Sequence, residues 1–340
     1  MRNSETINIL AIESSCDETS AAVIQDGKVL SNTIATQKVH ERYGGVVPEL
    51  ASRAHMQNIV PVVDTAIKDA GINKNDITAV AFTRSPGLIG SLLVGACFAK
   101  AFAQARHIPL IAVHHMQAHV LAHFIERKPE FPFLCLTVSG GHTQIVLCKD
   151  YLDMEVLGET IDDAAGEAFD KVAKMLGLPY PGGPVVDKYA ADGDPLRFKF
   201  PVSEMKDYQF SFSGIKTSVL YFLQKQKKID PDFAEKNIKD ICASVQYTII
   251  KMLMAKLKKA AKELNIKHIG IAGGVSANSG LRKAILEAGE QYGWQVYIPR
   301  FEYCTDNAAM IGITGYYKYL KGELADISVS PTARATWHVS

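Results

Sequence analysis

The chain has 340 residues, 47% of them apolar and 21% charged, with a net charge of +1. At about 150 residues per domain the length favours two domains, and so apolar a composition excludes a mainly disordered chain. No stretch reaches the roughly 20 uncharged apolar residues of a membrane span; the nearest, Ser91 to Ala105, carries Lys100 and reads as a buried helix. The near-zero net charge hides a division. Residues 1–194 carry 16 Lys+Arg against 23 Asp+Glu, a net of −7, whereas residues 195–268 carry 15 against 7, a net of +8, nearly all from lysine. Alone, such a segment describes a solvated helix face. The start shows no signal-peptide pattern, and the six cysteines include no C-x-x-C pair. The expectation is a cytoplasmic protein with reduced thiols and no membrane association.

In chain order, Ile7–Glu13, Thr19–Gln25 and Lys28–Thr36 read as strands, the last two joined by a Gln25-Asp-Gly-Lys turn. A polar loop, Ser14 to Thr19, separates the first two. Ile77–Thr83 is a strand followed by a small-residue helix, and Pro109–Val113 a strand followed by a helix from His115. The layout then recurs. Phe133–Val138, Gln144–Lys149 and Met154–Glu159 are strands, with the polar loop Ser139-Gly-Gly-His-Thr143 after the first. His268–Ala272 leads into a glycine bend and helix, and Gln295–Ile298 precedes a helix from about Thr305. Each half therefore reads as three strands and two strand–helix units, an α/β fold with a largely parallel sheet. Two such lobes would face each other across a cleft lined by strand-end loops. The expected division is 1–129 for the first lobe and 130–325 for the second. A mostly helical insertion at about 160–264 decorates the second lobe, the 305–320 helix is free to pack back on the first, and 326–340 forms a loosely held tail.

Several short patterns suggest chemistry. His115-Met-Gln-Ala-His119 puts two imidazoles on one helix face, where they can hold a metal, although the spacing also describes two solvated histidines. Gln117 stands where a zincin has its general base, which argues against a metalloprotease. The duplication places Asp306 at the helix start equivalent to His115, so helix starts facing across a pseudo-two-fold would complete a two-His, one-carboxylate set suited to Fe(II) or Zn; taken alone, Asp306 or Thr305 reads as a helix cap. The Gly140-Gly141 bend, the Gly273 to Asn278 turn and the carboxylates Asp170 and Asp187 suit phosphate or ribose, and each has an ordinary turn or cap reading as well.

Together and in this order, HMQAH at 115–119, VSGGHT at 138–143, DAAGEAFDK at 163–171, FSGIKT at 212–217, GGVSAN at 273–278 and YCTDNAAM at 303–310, with YGGVVPELASRAH at 43–55, resemble the bacterial tRNA N6-adenosine threonylcarbamoyltransferase family (TsaD), formerly called glycoproteases. The resemblance spans about residues 7–325. It implies a duplicated actin-like/Hsp70-like ATPase fold and one Fe(II) per subunit, with Zn or Mg as substitutes, on His115, His119 and Asp306. It also implies a threonylcarbamoyl-AMP site at Val138, Ser139, Gly140, Gly141, His142, Asp170, Gly183, Asp187 and Asn278. The implied partners are tRNA, a paralogous actin-fold (TsaB-like) subunit and a P-loop ATPase (TsaE-like) subunit. The alternatives are an actin-fold small-molecule kinase or ATPase, which leaves the two histidines and Asp306 unexplained, and a non-catalytic subunit of a tRNA-modification complex. No residue pairing identifies a general base.

Overall fold

Two sheets of the same strand order organise the chain. The structure, a computed structural model, describes residues 6–203 and 205–334. Its elements are β1 (Asn8–Glu13), β2 (Glu18–Gln25), β3 (Lys28–Thr36), α1 (Pro48–Asp69), β4 (Ala79–Ser85), α2 (Ile89–Arg106), β5 (Leu110–His114), α3 (His115–Leu121), β6 (Phe133–Val138), β7 (Thr143–Cys148), β8 (Met154–Glu159), α4 (Ala165–Met175), α5 (Gly182–Ala190), α6 (Ser213–Lys227), α7 (Phe233–Lys236), α8 (Ile238–Glu263), β9 (His268–Ala272), α9 (Ser279–Tyr292), β10 (Gln295–Tyr297) and α10 (Ala308–Leu320). They form two compact units: one from the chain up to Lys128 together with the chain from Pro299 on, the other from Pro129–Ile298.

The first unit holds the sheet β3-β2-β1-β4-β5. β1 pairs antiparallel with β2 and parallel with β4, which pairs parallel with β5. β1 is buried along its whole length because both faces are covered. Leu10 and Ile12 pack towards Ile59, Val63, Ala96 and Ala99 of α1 and α2. Ile9 and Ala11 pack towards Ala118 of α3 and Ala308 to Ile311 of α10. α1 is an element that the strand–helix reading did not include. It begins with Pro48 in its first turn, a favoured place for proline, and buries Ile59, Val62, Val63 and Ala66.

The second unit repeats the topology as β10-β9-β6-β7-β8. β6 pairs antiparallel with β7 and parallel with β9. Residues 160–264 are not a decoration. Phe169, Val172, Ile241, Val245, Ile249 and Leu253 share one core with the strand residues Leu134, Leu136 and Ile271. The third-to-fourth-strand crossover carries α1 in the first unit and α4 to α8 in the second. The apparent insertion is therefore an enlarged form of a crossover that both units need.

Two boundaries differ from the sequence reading. The chain from Pro299 belongs to the first unit rather than to a second lobe running to 325, and the 305–320 helix takes the packing on the first sheet that the sequence reading left open. Small residues explain this: a side chain at Gly312 would collide with Ile24, and a Cβ at Gly315 would lie 2.6 Å from that of Ala81, so α10 fits tightly on the first sheet. The tail is held rather than loose over its described part. Ala325 N–H donates to the Leu110 carbonyl at 2.7 Å, Thr332 N–H to Arg84 at 3.1 Å, and Gly87 N–H to Ala333 at 3.2 Å. Residues 335–340 lie outside the described residues. Among the described residues no helix is long and apolar enough to cross a membrane.

Candidate metal centre and nucleotide loops

β5 runs directly into α3, so His115 and His119 stand on the first two turns of a helix that starts at a strand's carboxyl end. Both are buried, and their rings meet edge to face with centroids 4.7 Å apart. Asp306 lies two residues before α10, which packs beside α3 on the same face of the first sheet. Helix starts that are neighbours within one unit, rather than counterparts facing across a pseudo-two-fold, thus unite the three residues.

Asp306 is free to face the histidines because other groups hold the start of α10. Ser20 Oγ accepts Ala308 N–H at 2.9 Å, Asn32 Oδ1 accepts Ala309 N–H at 3.2 Å, and Asn307 Oδ1 accepts Met310 N–H at 3.1 Å. The cap is Asn307, neither Asp306 nor Thr305. Asp306 Oδ1 lies 3.1 Å from His119 Nε2 and 3.3 Å from His115 Nε2, and the two Nε2 atoms are 3.1 Å apart. Donors at about 2.1 Å from one ion lie about 3.0–3.4 Å from each other when their bonds open by about 90–110°. The three residues form a group that could hold a metal ion.

The electrostatics agree with a cation at this point. Burial disfavours a charged His115, but Asp306 and Glu13 outweigh it and hold the ring well above its ordinary pKa. Against the same burial, His115 pulls Glu13 and Asp306 below the usual carboxylate range. Burial lowers His119. Glu18 is pushed up to about 10, by burial first and then by Asp306 and Asp17. The proton shared by His115 with its carboxylates offsets this negative charge, and a divalent cation on the same three donor atoms would do so with both imidazoles neutral. The donor set and its convergence therefore fit the metal.

One member of this cluster carried no role in the sequence reading. Glu13, the last residue of β1, is fully buried and lies 3.0 Å from His115 Nδ1. Its signal is an acid closing an apolar central strand, which is rare without a partner.

The second unit gathers the nucleotide candidates at the carboxyl ends of β6 and β9, where its strand order reverses direction. Val138 ends β6, and its carbonyl packs against Gly273, which has φ +84° and no room for a Cβ. Ser139 N–H donates to the His142 carbonyl at 2.8 Å, and His142 N–H to Ser139 Oγ at 3.1 Å, closing a tight bend. Side chains at Gly140 or Gly141 would meet open space, so that backbone is approachable. Asp170 accepts N–H groups from Gly182 at 2.7 Å and Gly183 at 3.3 Å, at the start of α5. Asp187 accepts both the N–H and the hydroxyl of Ser279, at 2.9 and 2.7 Å. Asn278 caps α9 through Leu281 N–H and donates to Gln246 at 2.7 Å. These residues form a linked series at one end of the sheet, with the two carboxylates already engaged as helix-start acceptors.

The comparisons with known proteins agree among themselves. Residues 28–313 match the family described as TsaD, tRNA N6-adenosine threonylcarbamoyltransferase. The protein of that name from Christiangramia forsetii is 65% identical over 334 residues, 97% of this chain and 98% of its own. That from Cytophaga hutchinsonii is 61% identical over 332 residues, 97% of each. Among solved structures, HypF in its phosphate- and nucleotide-bound form matches with a TM-score of 0.60 at 14% identity, over 92% of this chain and 46% of that one. HypF of T. kodakarensis matches with 0.64 at 13%, over 95% and 49%. These likenesses show the fold alone, an actin-like ATPase fold.

Proposed function

The chain belongs to the tRNA N6-adenosine threonylcarbamoyltransferase family, and we propose from that premise that it moves the threonylcarbamoyl group of threonylcarbamoyl-AMP onto the N6 amine of the adenosine 3′ of the anticodon. The acceptors are tRNAs that read codons beginning with A. The enzyme is an acyltransferase. The N6 nitrogen forms the new C–N bond as the anhydride C–O bond breaks, AMP leaves with the electron pair, and N6 loses a proton. The observation that carries the reading is 65% identity over 97% of the chain to a protein named for this activity.

His115, His119 and Asp306 would hold one metal, which the family resemblance makes Fe(II), with Zn or Mg as substitutes. When bound, the metal supplies Lewis-acid charge for the reacting oxygens. The open Gly140-Gly141 backbone offers N–H groups to the adenylate phosphate. Asp170, Gly183, Asp187 and Asn278 shape the wall that receives the nucleoside. The exposed lysines 225, 227 and 228 at the end of α6 and 251, 259 and 262 on α8 offer charge to tRNA phosphates. A paralogous actin-fold subunit and a P-loop ATPase subunit assist in the cytoplasm.

The test is incubation with threonylcarbamoyl-AMP and unmodified tRNA, with and without those subunits. Equal amounts of modified adenosine and AMP are expected. Nucleotide hydrolysis without modified tRNA under every condition overturns the reading in favour of an ATPase or a non-catalytic subunit.

A further inference from the structure

We propose that Glu13 is the positioning residue of the metal centre, a buried carboxylate that fixes the tautomer and orientation of His115 so that its Nε2 lone pair faces His119 and Asp306. The inference rests on the metal reading above and adds a residue to it.

The geometry restricts Glu13 from both sides. Its Oε1 accepts the Ser15 N–H, a backbone donor that cannot reverse its role. Its Oε2 accepts the Thr83 hydroxyl at 2.6 Å. β1 and β4 pair in parallel with Ile12 opposite Phe82, so Glu13 and Thr83 follow one another off adjacent strand ends. The same Oε2 lies 3.0 Å from His115 Nδ1, and Ser15 Oγ lies 3.3 Å from that nitrogen. An ionised carboxylate only accepts, so Nδ1 carries the hydrogen, and in the neutral ring Nε2 is left as a donor of its lone pair. His119 has no equivalent support, because its buried Nδ1 lacks a hydrogen-bond partner among the described residues. Of the two rings, His115 is therefore the one held by a carboxylate on the side away from the three converging atoms. Carboxylates behind a ligating histidine change metal affinity by about 10–100-fold.

Glu13→Gln separates this role from simple packing. The amide keeps the shape, and the fixed Ser15 donor draws its oxygen, which turns the NH2 group towards Nδ1. That arrangement favours the tautomer with hydrogen on Nε2, the atom meant for the metal. The full-length chain is titrated with Zn2+ against a competing chelator, with Co2+ as a spectroscopic probe and thermal unfolding of the metal-free protein alongside. Glu13→Gln is expected to bind Zn2+ about 10–100-fold more weakly and to change the Co2+ spectrum, with a small change in unfolding temperature. Glu13→Ala is expected to lose more thermal stability but less Zn2+ affinity than Glu13→Gln. Thr83→Val keeps the charge and loosens its anchor, and is expected to show a smaller loss in the same direction. Wild-type affinity in Glu13→Gln, or affinity losses that merely follow thermal stability across the three variants, overturns the inference while leaving the metal site intact. A wild-type chain that binds neither ion at these residues overturns the metal reading and this inference together.

Discussion

The two units share one strand topology and use their acidic residues in opposite ways. In the second unit, Asp170 and Asp187 sit against the first N–H groups of α5 and α9 and are engaged there. In the first unit, Asp306 lies two residues before α10, yet Ser20, Asn32 and Asn307 take the helix N–H groups. Asp306 is left to the two histidines. A carboxylate near a helix start is thus engaged by it or left to other partners according to what else reaches those N–H groups, and proximity to a helix start alone does not distinguish the two.

The largest test of this contrast is His119→Ala. It is expected to abolish Zn2+ binding and to slow transfer on the order of 1000-fold, as loss of Lewis-acid stabilisation predicts, with an unchanged circular dichroism spectrum. Full transfer by the metal-free variant removes the basis for treating the first unit as a metal centre. Gly312→Ala probes what delivers Asp306. The added methyl strikes Ile24, so calorimetry is expected to show about 1–3 kcal/mol of destabilisation, with weaker Zn2+ binding because α10 lifts; undiminished stability breaks the link between packing and ligand placement. Asp187→Ala tests the opposite use, with an expected loss of about 1 kcal/mol in denaturant unfolding. A loss of adenylate affinity without that destabilisation would make Asp187 a ligand instead.

The smallest expected effect is in pH. His115 is held above its ordinary pKa in the metal-free protein. Its contribution to stability is therefore complete below the unfolded value of about 6.5 and is lost as pH rises through the folded value. Relative to His115→Gln, the metal-free wild type should be more stable near pH 5 and lose that advantage on the alkaline side, measured by denaturant titration. Zn2+ affinity should run the other way, rising with pH as the proton leaves.

Much of the fold was legible in local pattern. Lys28–Thr36, Phe133–Val138, Met154–Glu159 and His268–Ala272 are the same strands in sequence and structure, since apolar runs with turn residues at their ends state their own limits. α1 was not legible in this way. Its buried face includes His55 and the small Ala51 and Ala66, it contains Pro61, and it leaves Met56 and Val60 exposed. The same holds for Glu13, whose partners Thr83 and His115 are 70 and 102 residues away.

Sequence by itself determined the duplicated strand–helix order, the acidic and basic division of the chain, and the placing of His115 and His119 on one helix face, because each follows from residues close together in the chain. Tertiary structure alone decided that α10 joins the first unit, that Asp306 is released from capping, and that Glu13 stands behind His115. Those outcomes depend on close contacts such as Gly312 against Ile24 and Ser20 against Ala308, between residues nearly 290 positions apart. No local preference encodes such contacts; they arise only when the sheet is assembled and its small residues let the helix approach.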